Sequence, residues 1–147
     1  MGKRRIKLLA TISLGVFFGC AAFTFVYARG YSYMSDDPNA CINCHIMNEQ
    51  HDSWLNSSHS AFANCNDCHT PKTPFAKYWV KAGNGFRHSA YFTLGNFKEP
   101  IRITPGNQKV VQDNCIRCHS DLVDSIHPTN DGQLDCLSCH SRGFHRL

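Results

Sequence analysis

Eight of the nine cysteines in this 147-residue chain fall into four short motifs of one form, in which two cysteines are separated by two residues and followed directly by a histidine. Side chains of these types at this spacing can form disulfides, bind a metal or carry a covalently attached cofactor. The four motifs are Cys41-Ile42-Asn43-Cys44-His45, Cys65-Asn66-Asp67-Cys68-His69, Cys115-Ile116-Arg117-Cys118-His119 and Cys136-Leu137-Ser138-Cys139-His140.

The histidine decides between these chemistries. A disulfide scaffold or a zinc ribbon gives no reason for a histidine after every second cysteine, and a thioredoxin-like redox pair needs a βαβ context that the sequence lacks. Two thiols three positions apart lie on one face of a helical turn and can bond the two vinyl groups of a porphyrin, while the histidine ligates the iron. The motifs therefore predict four covalently bound haem c groups, with His45, His69, His119 and His140 as candidate ligands.

Five histidines outside the motifs are available as sixth ligands. His59 stands six residues before the second motif, His127 stands nine before the fourth, and His145 follows His140 by five. We expect these three to ligate iron. His51 lies in a polar stretch, and we expect it to be a surface residue.

Met47 sets the first motif apart, because the other three have no methionine two residues after the histidine. One interpretation is an apolar side chain that fills space beside the ring. The other is a thioether ligand, which would give the first haem a different potential from the rest.

The elements that carry these motifs are predicted to be short helices joined by irregular segments, since no alternating strand pattern persists. Few large aliphatic residues remain outside the motifs, so the porphyrins must form the core of a domain this small. The motif starts are separated by 24, 50 and 21 residues, which indicates two di-haem halves, at about 30–95 and 96–147. The predicted helices are 47–57, 75–83, 107–115 and 118–125.

A hydrophobic N-terminal segment precedes the haem motifs. Residues 8–28 carry no charge, and as a helix they would span roughly 31 Å, enough to cross a bilayer. The apolar region is longer than that of a cleaved signal peptide. The basic cluster at Lys3, Arg4, Arg5 and Lys7 places the N-terminus in the cytoplasm. We expect residues 1–29 to be an anchor and 30–147 to be exported.

The net charge of +4 belongs to the anchor. Five of the fifteen basic residues precede residue 30 and all eleven acidic residues follow it, so the exported part carries a net charge of −1. Such a balance excludes a nucleic-acid-binding protein.

The anchor, the four motifs and the variant Cys44-His45-Ile46-Met47 together resemble the NapC/NirT family of membrane-anchored tetrahaem quinol dehydrogenases. Within it they are most similar to the small subunits of cytochrome c nitrite reductase. The resemblance runs along nearly the whole chain. It extends to the segments 37–41, 57–59, 77–82, 85–89 and 92–95.

The resemblance implies a quinol site beside the first haem. Met47 would ligate that iron in place of the adjacent His45, and Lys81 would hydrogen-bond the quinol oxygen. His88 stands where one well-known member of the family has an aspartate, which leaves open whether it ligates the first iron or lines the quinol pocket. All three are candidate catalytic residues.

The resemblance also implies ligand pairs for the other haems. His69 pairs with His145, and His119 pairs with His59. The fourth haem, ligated by His140, would be completed either by His127 or by a lysine of a partner subunit, and the sequence leaves this choice open.

The function implied is electron transfer in the bacterial inner membrane, with the haem domain in the periplasm. Menaquinol is oxidised at the first haem, and electrons pass to a large multihaem subunit, the nitrite reductase, or to several periplasmic reductases. The chain would not reduce nitrite itself, since it has no motif for an open haem. Residues 72–94 interleave aromatic and basic side chains, as an element at the lipid headgroups does.

Overall fold

The computed structural model describes residues 2–126 and 135–140, so the candidate ligands His127 and His145 lie outside the described residues. Within these ranges all regular secondary structure is helical, as the sequence predicts. The α-helices are α1 (Lys3–Tyr27), α2 (Asn48–Leu55), α3 (Cys65–His69), α4 (Pro74–Leu94), α5 (Pro105–Cys118), α6 (Ser120–Ile126) and α7 (Cys136–His140). Short 3₁₀ helices span Gly30–Met34, Pro38–Asn43, His45–Met47 and Ser58–Ala61.

The N-terminal helix α1 is long and apolar enough to cross a membrane, and its apolar side chains are exposed along its whole length. With the 3₁₀ helix Gly30–Met34 it forms one compact unit that runs to Ser35, and the second unit begins at Asp36. The division thus falls six residues later than the boundary predicted from the sequence.

Helix α3, which carries the second motif, begins with a capping box. The Asn64 side chain accepts hydrogen bonds from the backbone amides of Asn66 and Asp67, and the Asp67 carboxylate accepts one from the Asn64 amide at 2.9 Å. These bonds satisfy amides that have no partner within the helix. Cys65 and Cys68 are therefore held on a helical turn only five residues long.

Helix α4 runs to Leu94, eleven residues beyond the predicted end at residue 83. It continues through Gly83 and Gly85, although glycine is a weak helix former. Asn84 exchanges two side-chain hydrogen bonds with Asn107 of α5, at 2.9 and 3.3 Å, and so ties this stretch to the neighbouring helix. The helix ends at Gly95, which has a φ of 63° that glycine adopts without steric cost.

Helix α5 is the centre of the second unit and packs against α3, α6 and α7. Its Val111 is the single buried apolar side chain among the described residues, and Asn114 beside it is also buried. Residues 2–126 and 135–140 by themselves therefore supply almost no hydrophobic core. A fold of this size needs further buried material to be stable.

Candidate functional site

The four cysteine motifs lie on short helical turns. The first begins in the 3₁₀ helix Pro38–Asn43, the second forms α3, the third ends α5 and the fourth forms α7. All nine cysteines lie in the described part of the chain, and none of them forms a disulfide there. No group of three or more metal-ligating side chains converges among these residues.

The first and second motifs meet at their leading cysteines. The thiols of Cys41 and Cys65 hydrogen-bond to each other, and this contact lowers the pKa of Cys41 to about 7 and raises that of Cys65. The positive charge of Lys81 also contributes to the low pKa of Cys41. Lys81, predicted to lie at the quinol site, is thus near the first motif.

Neighbouring charges and burial also affect the cysteines of the other motifs. Burial raises the pKa of Cys68 in the second motif, and Cys118 in the third motif adds to the effect. Burial likewise raises the pKa of Cys115 to about 11, and the adjacent Cys136 of the fourth motif is the next largest cause. Helix α5, which carries the third motif, packs against both α3 of the second motif and α7 of the fourth.

Hydrogen bonds from α5 fix the fourth motif. Gln112 accepts a bond from the Cys136 backbone amide at 3.0 Å, and its side-chain nitrogen lies 3.3 Å from the Cys136 sulfur. Helix α5 thus holds α7 from one side and α3 from another. Sequence reasoning missed Gln112, because a glutamine in a polar helix gives no signal of such a contact.

Two of the predicted ligands face each other. The imidazole rings of His59 and His119 have centroids 6.2 Å apart, with their planes inclined by 71°. His59 belongs to the 3₁₀ helix Ser58–Ala61, and His119 caps the C-terminus of α5. The two rings come from segments sixty residues apart in the chain.

The other motif histidines differ in exposure. His45 and His140 are exposed, while His69 and Met47 are half-buried. His51, predicted to be a surface residue, is not one: its side chain is 12% exposed. Helix α2 places it one turn before Trp54, and the two ring centroids lie 5.5 Å apart. The prediction failed because a polar sequence stretch does not reveal which face of a short helix packs inward.

Lys81 is the most unusual side chain of the predicted quinol site, since the residue is 5% exposed. Its Nζ lies 3.5 Å from Oδ1 of Asp36. The other carboxylate oxygen of Asp36 lies 2.5 Å from Nζ of Lys77, and Asn66 donates to Oδ1 at 2.8 Å. The hydrogen bond from Lys77 is the main cause that lowers the pKa of Asp36.

His88 lies two helical turns after Lys81 on the same face of α4. The residue as a whole is exposed to solvent. Nevertheless, desolvation by the surrounding protein, followed by the charge of Arg87, lowers the pKa of His88 below its ordinary value. Arg87 itself donates to the Thr104 hydroxyl at 3.2 Å.

In helix α4 a polar stripe contacts the rest of the protein and an aromatic stripe is exposed, which is the reverse of an ordinary surface helix. The stripe of Lys77, Lys81, Asn84 and His88 follows helical spacing, and its first three members make the contacts with Asp36 and Asn107 described above. The opposite stripe carries Phe75, Trp79 and Phe86, which are 84%, 74% and 79% exposed.

The N-terminal region of the NapC/NirT cytochrome c family matches residues 1–110 of the sequence. The chain belongs to this family. As a NapC/NirT cytochrome c, it carries covalently bound haem c, and the cysteine motifs and the nearly absent polypeptide core both fit such a group.

Individual relatives of this NapC/NirT cytochrome support the assignment. The chain is 40% identical to the cytochrome c-type protein NrfH of Wolinella succinogenes, over 91% of this chain and 84% of the relative. It is 33% identical to the cytochrome c nitrite reductase subunit NrfH of Nitratidesulfovibrio vulgaris, over 98% of this chain and 86% of the relative.

A solved structure is also similar to this NapC/NirT chain. It is the crystal structure of the cytochrome c nitrite reductase NrfHA complex bound to the HQNO inhibitor. The TM-score is 0.66 and the identity 31%, and the match covers 95% of this chain and 90% of that one. The mainly helical fold with one N-terminal apolar helix, predicted from the sequence, is thereby confirmed.

Proposed function

We propose that this chain is the membrane-anchored, quinol-oxidising subunit of a cytochrome c nitrite reductase. Two relatives, 40% and 33% identical over most of the chain, bear the NrfH name, and the similar solved structure is a NrfHA complex. The large NrfA-type subunit would be the partner that reduces nitrite to ammonia. This chain would deliver electrons to it and would not reduce nitrite itself.

The cofactors are four haem c groups, one for each motif. Cys41, Cys44, Cys65, Cys68, Cys115, Cys118, Cys136 and Cys139 would form the thioethers. When bound, the four haems accept electrons singly and pass them on. The proximity of Cys41 to Cys65, and the packing of α5 against both α3 and α7, support an order of transfer from the first motif to the fourth.

The ring separation of His59 and His119 supports their pairing on the third haem. Two metal–imidazole bonds of about 2 Å each, plus roughly 1 Å from each nitrogen to its ring centre, give a centroid separation of about 6 Å. The observed 6.2 Å fits this requirement. His69 with His145, and His140 with either His127 or a partner lysine, remain the proposed ligand sets of the second and fourth haems.

The quinol site would lie between the first motif and α4. Lys81 is buried and near Cys41, and His88 follows it on the same face, about 10 Å farther along the helix axis. The Lys81 ammonium would donate a hydrogen bond to the quinol oxygen and so stabilise the negative charge that develops there as the proton leaves. Met47 would ligate the first iron in place of His45.

The substrate would be menaquinol, taken up from the membrane. The aromatic stripe of α4 is exposed, and Lys72 and Arg87 flank it in the sequence. Aromatic rings with nearby cations are typical of the headgroup level of a bilayer. One face of α4 would then contact lipid while the other lines the quinol site. With the basic N-terminus in the cytoplasm, the haem domain would lie in the periplasm.

The observation that carries this proposal is the burial of Lys81 beside the first motif in a chain of this family. The test is reduction of the purified haem-loaded protein in liposomes by a menaquinol analogue, followed by the haem absorbance. We expect full reduction in the wild type and inhibition by HQNO. Absence of reduction would refute quinol oxidation. A large multihaem subunit that copurifies in mild detergent would identify the acceptor, whereas several different reductases would point to a general distributor.

A further inference from the structure

Asp36 connects the two elements that border the quinol site. One of its carboxylate oxygens accepts a hydrogen bond from Asn66 of α3, and the other contacts Lys77 of α4. The same carboxylate lies 3.5 Å from the buried ammonium of Lys81. The Asp36 side chain is 49% exposed, whereas that of Lys81 is 6% exposed.

A buried ammonium group needs compensation for the water that it loses. An acidic neighbour supplies part of that compensation. Lys77 and Asn66 hold the Asp36 carboxylate from two directions, which limits its rotation. The lowered pKa of Asp36 also means that this carboxylate is ionised at neutral pH. A fixed negative charge therefore lies beside the amine that the quinol oxygen would meet.

We propose that Asp36 is a positioning residue of the quinol site, which holds the Lys81 ammonium in place through the contact between Oδ1 and Nζ. The proposal rests on the function proposed above. Asp36 would not touch the quinol itself. It acts through Lys81, so its effect must disappear when Lys81 is absent.

The first experiment compares Asp36→Asn and Asp36→Glu with the wild type in menaquinol-analogue oxidation and in HQNO binding. Asp36→Asn keeps the shape and removes the charge, and we expect about a tenfold rise in KM and in the HQNO dissociation constant. Asp36→Glu keeps the charge and should recover part of this loss. The matched control is Asp113→Asn, which removes an exposed carboxylate 3.2 Å from Lys109 on α5 and should leave both constants unchanged.

The second experiment separates positioning from a general loss of structure. Lys81→Met and the double variant Lys81→Met with Asp36→Asn should have equal activity, because the effect of Asp36 passes through Lys81. Haem content, measured from absorbance per mole of protein, should equal that of the wild type. Additive losses, or a KM for Asp36→Asn equal to that of the wild type, would overturn the proposal.

Failure of the proposed function and failure of the positioning role of Asp36 give different results. If the wild type is not reduced by the quinol analogue, the proposed function itself fails. If the wild type is reduced and Asp36→Asn does not assemble with haem, Asp36→Ser decides: it also removes the carboxylate, and a wild-type KM would then refute the positioning role.

Discussion

Asn114 of α5 donates its side-chain amide to the carbonyl oxygens of Cys68 and Thr70, at 3.0 and 2.9 Å. One buried side chain thus binds the end of the second cysteine motif to the helix that carries the third. Its carbonyl oxygen in turn accepts a bond from Arg117 at 3.3 Å. The spacing between the two attachment segments depends on this asparagine.

Replacing Asn114 with alanine should destabilise the haem domain. The change removes three hydrogen bonds and leaves the carbonyl groups of Cys68 and Thr70 without these donors, at a cost of about 2–4 kcal/mol in the free energy of unfolding. Denaturant unfolding of the haem-loaded protein, followed by the haem absorbance, measures this loss. Asn96→Ala is the control, because Asn96 lies on an exposed segment after α4. Equal stability of the two variants would show that the Asn114 bonds contribute nothing.

Removal of the His59 ring should change one haem only. If His59 and His119 ligate the same iron, His59→Ala leaves that iron with one protein ligand, and about a quarter of the haem should change from low to high spin. Magnetic circular dichroism measures the fraction. His59→Met should restore six ligands and raise the potential of the same haem, since a methionine ligand stabilises the reduced iron.

The control for this experiment is His51→Gln. His51 is also largely buried, but it packs on Trp54. Its replacement should leave the spin states of all the haems unchanged. A low-spin spectrum in His59→Ala identical to that of the wild type would show that His59 is not a ligand.

The haem chemistry could be predicted from the sequence because the attachment motif is local. The two cysteines and the histidine act within one helical turn, so the spacing along the chain determines the site. The anchor could be predicted for the same reason, since a continuous apolar stretch determines whether a helix can cross a membrane. Helix α2 was also found within two residues at each end.

Contacts between distant segments could not be predicted in this way. Asp36 appears in the sequence as part of a polar turn, and its partners Asn66, Lys77 and Lys81 follow it by 30 to 45 residues. The extension of α4 through Gly83 and Gly85 depends on tertiary bonds to α5, which outweigh the low helix propensity of glycine.

Removal of the fourth attachment site should separate quinol oxidation from delivery of electrons. The double variant Cys136→Ser and Cys139→Ser should carry three haems by mass. If the motifs conduct in their spatial order, a menaquinol analogue should still reduce those three haems at the rate of the wild type. Nitrite reduction by the complex with the large subunit should fall at least tenfold. Wild-type nitrite reduction would contradict an exit through the fourth motif.

The aromatic stripe of α4 should matter only when the quinol must come from a membrane. Placing a charge at the headgroup level, as in Trp79→Asp combined with Phe75→Asp, opposes burial of this face in lipid. We expect a several-fold rise in KM for a lipid-soluble menaquinol in liposomes and no change for a water-soluble analogue in detergent. Phe62→Asp is the control, because Phe62 is 92% exposed but lies outside α4. An equal effect in both assays would indicate damage to the quinol site, and no effect in either would show that the stripe does not contact lipid.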